Sequence, residues 1–304
     1  MFKLKNTENE KQFGEVVERF PLSNDPKKNP ILYHYCNLNT FLSLIQNKCF
    51  WLSDINSMND YSEMHWAYDR FIEAANHEYE AVGRDFLDHL DRYVSSAQTR
   101  LLPLVCCFST DGDVLSQWRA YADDGKGVAI GFDASLIDEL STRTAEVIYD
   151  NHEQTDHFRT LIRAMNDVYL ELPEDERDDF LAYSGTHAGI DLCCFKNPAF
   201  SEEREVRIIR SIVVRDENGG VSFQDVGGGA SDEASSEALS IEFRERDGGL
   251  IAYLKLPFSG LGSGFIKEVV LGPKTRNNGV EVLAALEAAG FNTTSVRTSS
   301  ATYR

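Results

Sequence analysis

Ser201-Glu-Glu-Arg-Glu-Val-Arg-Ile-Ile209 is the stretch on which the reading of this chain turns. The run Glu203 to Val214 is rich in β-formers and reads as a strand. Alternation puts Glu203, Glu205, Arg207 and Ile209 on one face, and Arg204, Val206 and Ile208 on the other. Two readings stay open. The segment is a surface strand decorated with charges, or Ile208, Ile209 and Ile212 mark it as central. In the second case a carboxylate at Glu205 needs a partner or a task.

Outward from this strand, strands and helices are interspersed without a βαβ rhythm. Further strands are expected at Ile31–Cys36, Cys49–Ser53, Leu101–Phe108, Val128–Phe132, Leu250–Leu256, Lys267–Leu271 and Thr294–Thr298. Leu38, Phe41, Leu42 and Ile45 recur at helical spacing, with Asn37 or Asn39 as the cap. Helices are also expected over 61–100, 114–122, 155–172 and 280–289. The pattern predicts an α+β fold with a largely antiparallel sheet. Residues 1–29 read as an N-terminal extension and 30–304 as a single domain. Asn56 to Asp60 reads as a turn. The acidic run 173–179 reads as a solvated loop, and the acidic, Gly/Ser-rich segment 215–249 as a flexible loop within the domain.

The formal net charge of −19 argues against a broad nucleic-acid or anionic-membrane footprint. A narrow basic pocket for a phosphorylated small molecule stays compatible with it. Met1 to Gly14 shows no signal peptide, and no run of about 18 apolar residues occurs, so a cytoplasmic protein without membrane spans is expected. The six cysteines include two adjacent pairs, which suit neither a disulfide framework nor a CxxC zinc site. They read as reduced and buried, with a metal site shared with His34 or His187 as the sharper alternative. No GxGxxG or GxxxxGK[ST] motif is present.

Two other segments carry polar groups on elements that otherwise look buried. In Ile31-Leu-Tyr-His-Tyr-Cys36, Leu32, His34 and Cys36 share a face opposite Tyr33 and Tyr35. His34 is either a core group bonded to a carbonyl or an imidazole that holds a ligand. In Leu115-Ser-Gln-Trp-Arg-Ala-Tyr121, Trp118 belongs to the inward stripe, and Gln117 and Tyr121 are i, i+4 neighbours beside it. Ser53 has no GxSxG elbow, so a serine hydrolase is disfavoured. Asp54, Asp60 and Glu63 match no cation-loop spacing.

Leu32-Tyr-His-Tyr35, Phe50-Trp-Leu-Ser-Asp54, the tryptophan helix and Gly127-Val-Ala-Ile-Gly-Phe-Asp133 resemble the DUF2971 family. So do Glu203-Arg-Glu-Val-Arg207, Glu268-Val-Val-Leu-Gly-Pro273 and the terminal Tyr303-Arg304. More distantly, the order of a first-strand histidine, a helix tyrosine and a late strand glutamate resembles the His–Tyr–Glu layout of ADP-ribosyltransferases. Trp118 and Arg119 depart from the small residues usual in that family.

That resemblance implies a split antiparallel sheet and NAD as a substrate, with no metal. It implies that His34 holds the adenosine ribose, Tyr121 stacks on nicotinamide, and Ser53 or Ser116 bonds its amide. Glu205 bonds the nicotinamide ribose and stabilises an oxocarbenium-like transition state. Arg119 or Arg207 meets the pyrophosphate, and Tyr35 and Trp118 complete the NAD-binding set. The implied function is an ADP-ribosyltransferase or NAD glycohydrolase, as in a toxin or phage-defence effector. The acidic balance favours a protein or small-molecule acceptor over a nucleic acid. The competing expectations are a non-catalytic ligand- or partner-binding module on the same fold, and a nucleotide or phosphoester hydrolase.

Overall fold

The computed structural model describes residue 14 and residues 22–57, 63–217, 220–225, 238–246 and 248–303. Among them is one sheet built from β1 (Ile31–Cys36), β2 (Cys49–Asp54), β3 (Leu101–Ser109), β4 (Val128–Asp133), β5 (Arg143–Glu146), β6 (Glu205–Glu217), β7 (Gly220–Asp225), β8 (Ile241–Arg246), β9 (Gly249–Pro257), β10 (Ile266–Leu271) and β11 (Ser295–Thr298). Every pairing is antiparallel except β10 with β11. The helices are α1 (Leu38–Asn47), α2 (Glu63–Val82), α3 (Arg84–Arg100), α4 (Leu115–Tyr121), α5 (Ala134–Ile137), α6 (Asn151–Glu171), α7 (Glu174–Asp191) and α8 (Gly279–Ala288). The fold is α+β with a mostly antiparallel sheet. No helix among the described residues is long and apolar enough to cross a membrane.

The sheet forks at β3. Along one edge β3 pairs continuously with β6, from Leu101↔Val213 to Ser109↔Glu205. Two strands share the other edge. β1 meets it only at Tyr33↔Ser109, and β2 only at Ser53↔Val105 and Asp54↔Leu104. β1 then pairs along its whole length with β4, and β2 with β9. Backbone groups on each strand are thereby satisfied on the far side, and the near sides are free to diverge. Cys106 to Phe108 is left with no strand on the open edge.

Alternation sends Val105 and Ile209 into one core, under α2, α3, α6 and α7. Their neighbours Leu104, Cys106, Phe108, Ile208 and Ile212 enter the opposite core with Phe50, Phe132, Phe258 and Phe265. Tyr33 shares a row with Ser109, so the small cluster of Tyr33, Tyr35, Trp118, Ala129 and Val270 lies on the same side as the helical core. On that side, α4 and the larger helices flank the fork.

Two expectations change. The acidic run 173–179 is not a loop. Glu174, Asp175 and Glu176 form the first turn of α7, where free N–H groups and the helix dipole favour carboxylates. The segment 215–249 is not loop throughout: β6 runs to Glu217, β7 returns along it, and β8 adds to β9. Its composition hid the alternation, and the pairing strands supply the backbone bonds that a polar segment lacks alone. Residues 218–219, 226–237 and 247 of that segment, most of the N-terminal extension and residues 58–60 of the expected turn lie outside the described residues.

The turn after α4 is tightly built. Asp123 and Asp124 hold left-handed backbone, followed by Gly125 at φ 83°. A Cβ on Gly127 would lie 2.2 Å from the Cys36 carbonyl oxygen, a backbone atom of β1 that cannot move independently. Gly127→Ala should therefore lower the unfolding free energy by about 3 kcal/mol. Gly260→Ala, whose Cβ meets nothing within 4 Å, should change it by less than about 0.5 kcal/mol. Urea midpoints of the two variants check this.

Candidate functional site

A cavity of about 560 Å3 opens at the fork. His34, Ser53, Cys107, Tyr121, Glu205 and Arg207 are on its wall. His34 takes the place of the missing strand. Its Nδ1 lies 2.9 Å from the Cys107 carbonyl oxygen. A carbonyl only accepts, so Nδ1 carries the hydrogen. Burial depresses the imidazole's affinity for a second proton. The ring is then neutral, and Nε2 is an acceptor with no protein partner among the described residues.

The acidic wall is built by a sharp reversal before β6. Pro198–Glu203 is a 3₁₀ turn capped by Asn197, and Arg204 turns left-handed at φ 45°. The reversal sets Glu203 and Glu205 side by side around the Lys196 ammonium, whose Nζ donates to Glu203 Oε2 at 2.5 Å and Glu205 Oε2 at 3.2 Å. Glu63, at the start of α2, lies 3.9 Å from the same nitrogen. Arg207 clamps Glu205 through two bonds of 2.8 Å, from Nε and Nη2. Its Nη1 donates to Glu63 Oε1 and to the Cys193 carbonyl. Tyr121 donates to Glu203 Oε1 at 3.1 Å, and Tyr149 Oη accepts from the Glu205 backbone N–H at 3.1 Å.

Three carboxyl groups, of Glu63, Glu203 and Glu205, face two cations in a buried cluster. Burial pushes the Glu205 carboxyl up, but Arg207 and Lys196 outweigh it and hold it at about 2. Burial alone would strip Lys196 of its proton; Glu205 and Glu63 keep it an ammonium, above the ordinary lysine range. Glu63 goes the other way: burial raises it despite Arg207, and the Glu205 charge adds to the rise. Burial and the Glu203 charge raise the Tyr121 phenol. Two neighbouring carboxylates driven in opposite directions is the pattern of sites that divide acid and base roles.

The structure brings together His34, Tyr35, Ser53, Tyr121, Glu205 and Arg207 around one cavity. It leaves three expected residues off the cavity lining. Trp118 is fully buried, packs edge-on against Tyr35 and donates to Asp113. The Ser116 hydroxyl is buried without a partner. Arg119 lies over the ring of Tyr303. Tyr35 is held at both ends of its hydroxyl, by the Asp111 carbonyl and the Val114 N–H. The two open readings of His34 both apply, since it bonds a carbonyl and lines the cavity. Lys196 escaped the sequence reading, and Glu63 entered it only beside Asp54 and Asp60 as a weak cation-loop candidate. Lys196 follows the buried run Leu192–Phe195, and that position was its one visible signal. The six cysteines are free thiols, Cys107 half-buried and the others buried.

Residues 117–208 match the family model of DUF2971, a protein of unknown function. The match starts within α4 and ends in β6. It spans Gln117, Tyr121, Lys196, Glu203, Glu205 and Arg207, while His34 and Glu63 lie before it. No curated protein and no solved structure matches the chain.

The depressed Glu205 carboxyl has a stability consequence. Its ionised form stabilises the fold above the unfolded value of 4.5, and that contribution fades as pH falls through about 2. Glu205→Gln should cost about 3 kcal/mol at pH 7, a gap that narrows steadily below pH 4.5. Unfolding free energies of wild type and variant across that range provide the check. A gap that stays constant down to pH 2 would contradict the ionised, clamped carboxylate.

Proposed function

We propose that the cavity binds NAD and that the protein breaks the nicotinamide–ribose bond, passing ADP-ribose to an acceptor or to water. One observation carries this reading: a first-strand histidine, a helix tyrosine and a β6 glutamate, far apart in sequence, line one cavity at the fork of a split sheet.

The electrostatics suit the chemistry. Nicotinamide leaves as a neutral molecule from a cationic pyridinium ring, and positive charge moves onto the ribose as the bond stretches. The Glu205 carboxylate, held ionised by Arg207 and Lys196, stabilises that charge where it develops. Arg207 fixes the position of Glu205, so little reorganisation is needed during the reaction. A ribose hydroxyl would bond Glu205 by displacing the Cys107 thiol, the weakest of its donors. Tyr121 is 37% exposed and lines the cavity. The unpartnered Nε2 of His34 supplies an acceptor for a sugar hydroxyl. Arg119 lies outside the cavity, and Arg207 is engaged by Glu205, Glu63 and the Cys193 carbonyl, so neither is placed for the pyrophosphate. A protein or small molecule is the acceptor that the −19 net charge favours.

A binding module without turnover is the second reading. It is favoured by the network itself, because Lys196 and Arg207 already satisfy Glu205 with no ligand present.

The experiment is nicotinamide release from NAD by purified wild type, Glu205→Gln and Tyr121→Phe, each shown to be folded by its melting curve. Release by wild type that falls at least about 100-fold in folded Glu205→Gln supports the transferase reading. NAD that raises the melting temperature without nicotinamide release selects the binding module. Neither effect in wild type rejects NAD as the ligand.

A further inference from the structure

Beyond the acidic wall, the cavity is lined by a cation that no carboxylate among the described residues neutralises. Arg244 stands on β8, paired with Ile251 of β9. Its Nη2 donates to Ser53 Oγ at 2.9 Å. The guanidinium lies over Trp51 at 5.4 Å and Tyr253 at 5.6 Å, and these two rings stack at 4.9 Å. No carboxylate among the described residues is within ion-pairing distance of it. Glu242, two residues back on the same strand face, is occupied by Lys255 at 2.8 Å and the Tyr253 hydroxyl at 2.7 Å. The Arg244 Nε is buried and has no hydrogen-bond partner.

Each of these facts is unusual in a chain with 49 acidic and 30 basic residues. Buried arginine donors are normally satisfied, because leaving one bare costs about 1–3 kcal/mol. Arg246, two residues on, lines the same cavity. Burial and the Arg246 charge both weaken the hold of Arg244 on its proton, which an anion between the two would reverse. The aromatic stack and the Ser53 bond fix the guanidinium plane, the preorganisation that bidentate anion recognition requires.

We propose that Arg244, Arg246 and Ser53 form a diphosphate-binding subsite that takes the phosphates of a nucleotide ligand. This assigns the Ser53 hydroxyl to the guanidinium and not to a nicotinamide amide. The identity of the nucleotide as NAD rests on the function proposed above; the subsite itself does not. A ligand that reaches both walls places its diphosphate at Arg244 and its cationic ring at the acidic cluster.

The test titrates inorganic pyrophosphate into wild type, Arg244→Gln, Ser53→Ala and Arg204→Gln by calorimetry, with melting curves to show that each is folded. Arg204 pairs with Asp111 and is absent from the cavity wall, so it controls for a general loss of charge. The expected result is binding to wild type and Arg204→Gln, weakened at least about tenfold in Arg244→Gln and a few-fold in Ser53→Ala. No binding to wild type at millimolar pyrophosphate overturns the subsite. So does equal binding by wild type, Arg244→Gln and Ser53→Ala. If pyrophosphate binds as expected and no nicotinamide is released, the subsite stands and the NAD reading fails. If nicotinamide is released with the same KM in wild type and Arg244→Gln, the NAD reading stands and the subsite fails.

Discussion

The Arg207 guanidinium is the group on which the site depends. From one buried position on β6 it holds Glu205 bidentately, reaches Glu63 on α2 and caps the Cys193 carbonyl before the 3₁₀ turn. It ties the sheet to the helical core across the floor of the cavity. Such a network is a weak source of stability, since desolvating two ions offsets most of their attraction. Its effect is positional. Without Arg207, three buried carboxyl groups would face Lys196 alone, and at least one would take up a proton or rotate away. With Arg207, Glu205 stays ionised and oriented in a cavity wall that water reaches poorly.

The fork exists because β1 and β2 find better partners elsewhere. Each touches β3 briefly and then pairs fully with β4 or β9. Such a split would ordinarily expose unpaired backbone, and His34 closes part of that gap by donating to the Cys107 carbonyl. The same bond selects the tautomer and leaves Nε2 for a ligand. Structural satisfaction and availability are therefore not alternatives at this residue, because the two ring nitrogens divide them.

Strands such as Ile31–Cys36 and Leu101–Ser109 were legible because dense β-formers are bounded by turn residues. The faces of β6 were legible from period two alone, and Ile209 and Ile208 enter the two cores that alternation predicts. α7 was obscured by its glycines. Gly185 and Gly189 lower its helical signal, yet their missing Cβ atoms let α7 approach Tyr93 and Ala97 of α3. The partners of Glu205 were only partly legible. Arg207 is two residues away, but Lys196 and Glu63 reach it through a reversal and a helix start that no local pattern encodes. Glu63 was visible only as an unplaced carboxylate, and its role depends on a contact with Arg207 across 144 residues of chain. Arg244 falls in a segment whose composition reads as loop, so neither its strand nor its cavity position was visible.

These long-range contacts give the cavity two unlike walls. One carries the acidic cluster on β6, α2 and the turn before β6. The other carries Arg244 on β8, held by an aromatic stack with no carboxylate among the described residues in ion-pairing distance, and Arg246 two residues on. In a protein with 49 acidic residues, leaving an arginine unneutralised beside a cavity is unfavourable unless a ligand anion completes it. Equally, the ionised Glu205 favours the approach of positive charge at its end of the cavity. A single ligand that is anionic at one end and cationic at the other meets both. This is a stricter requirement than either wall imposes alone.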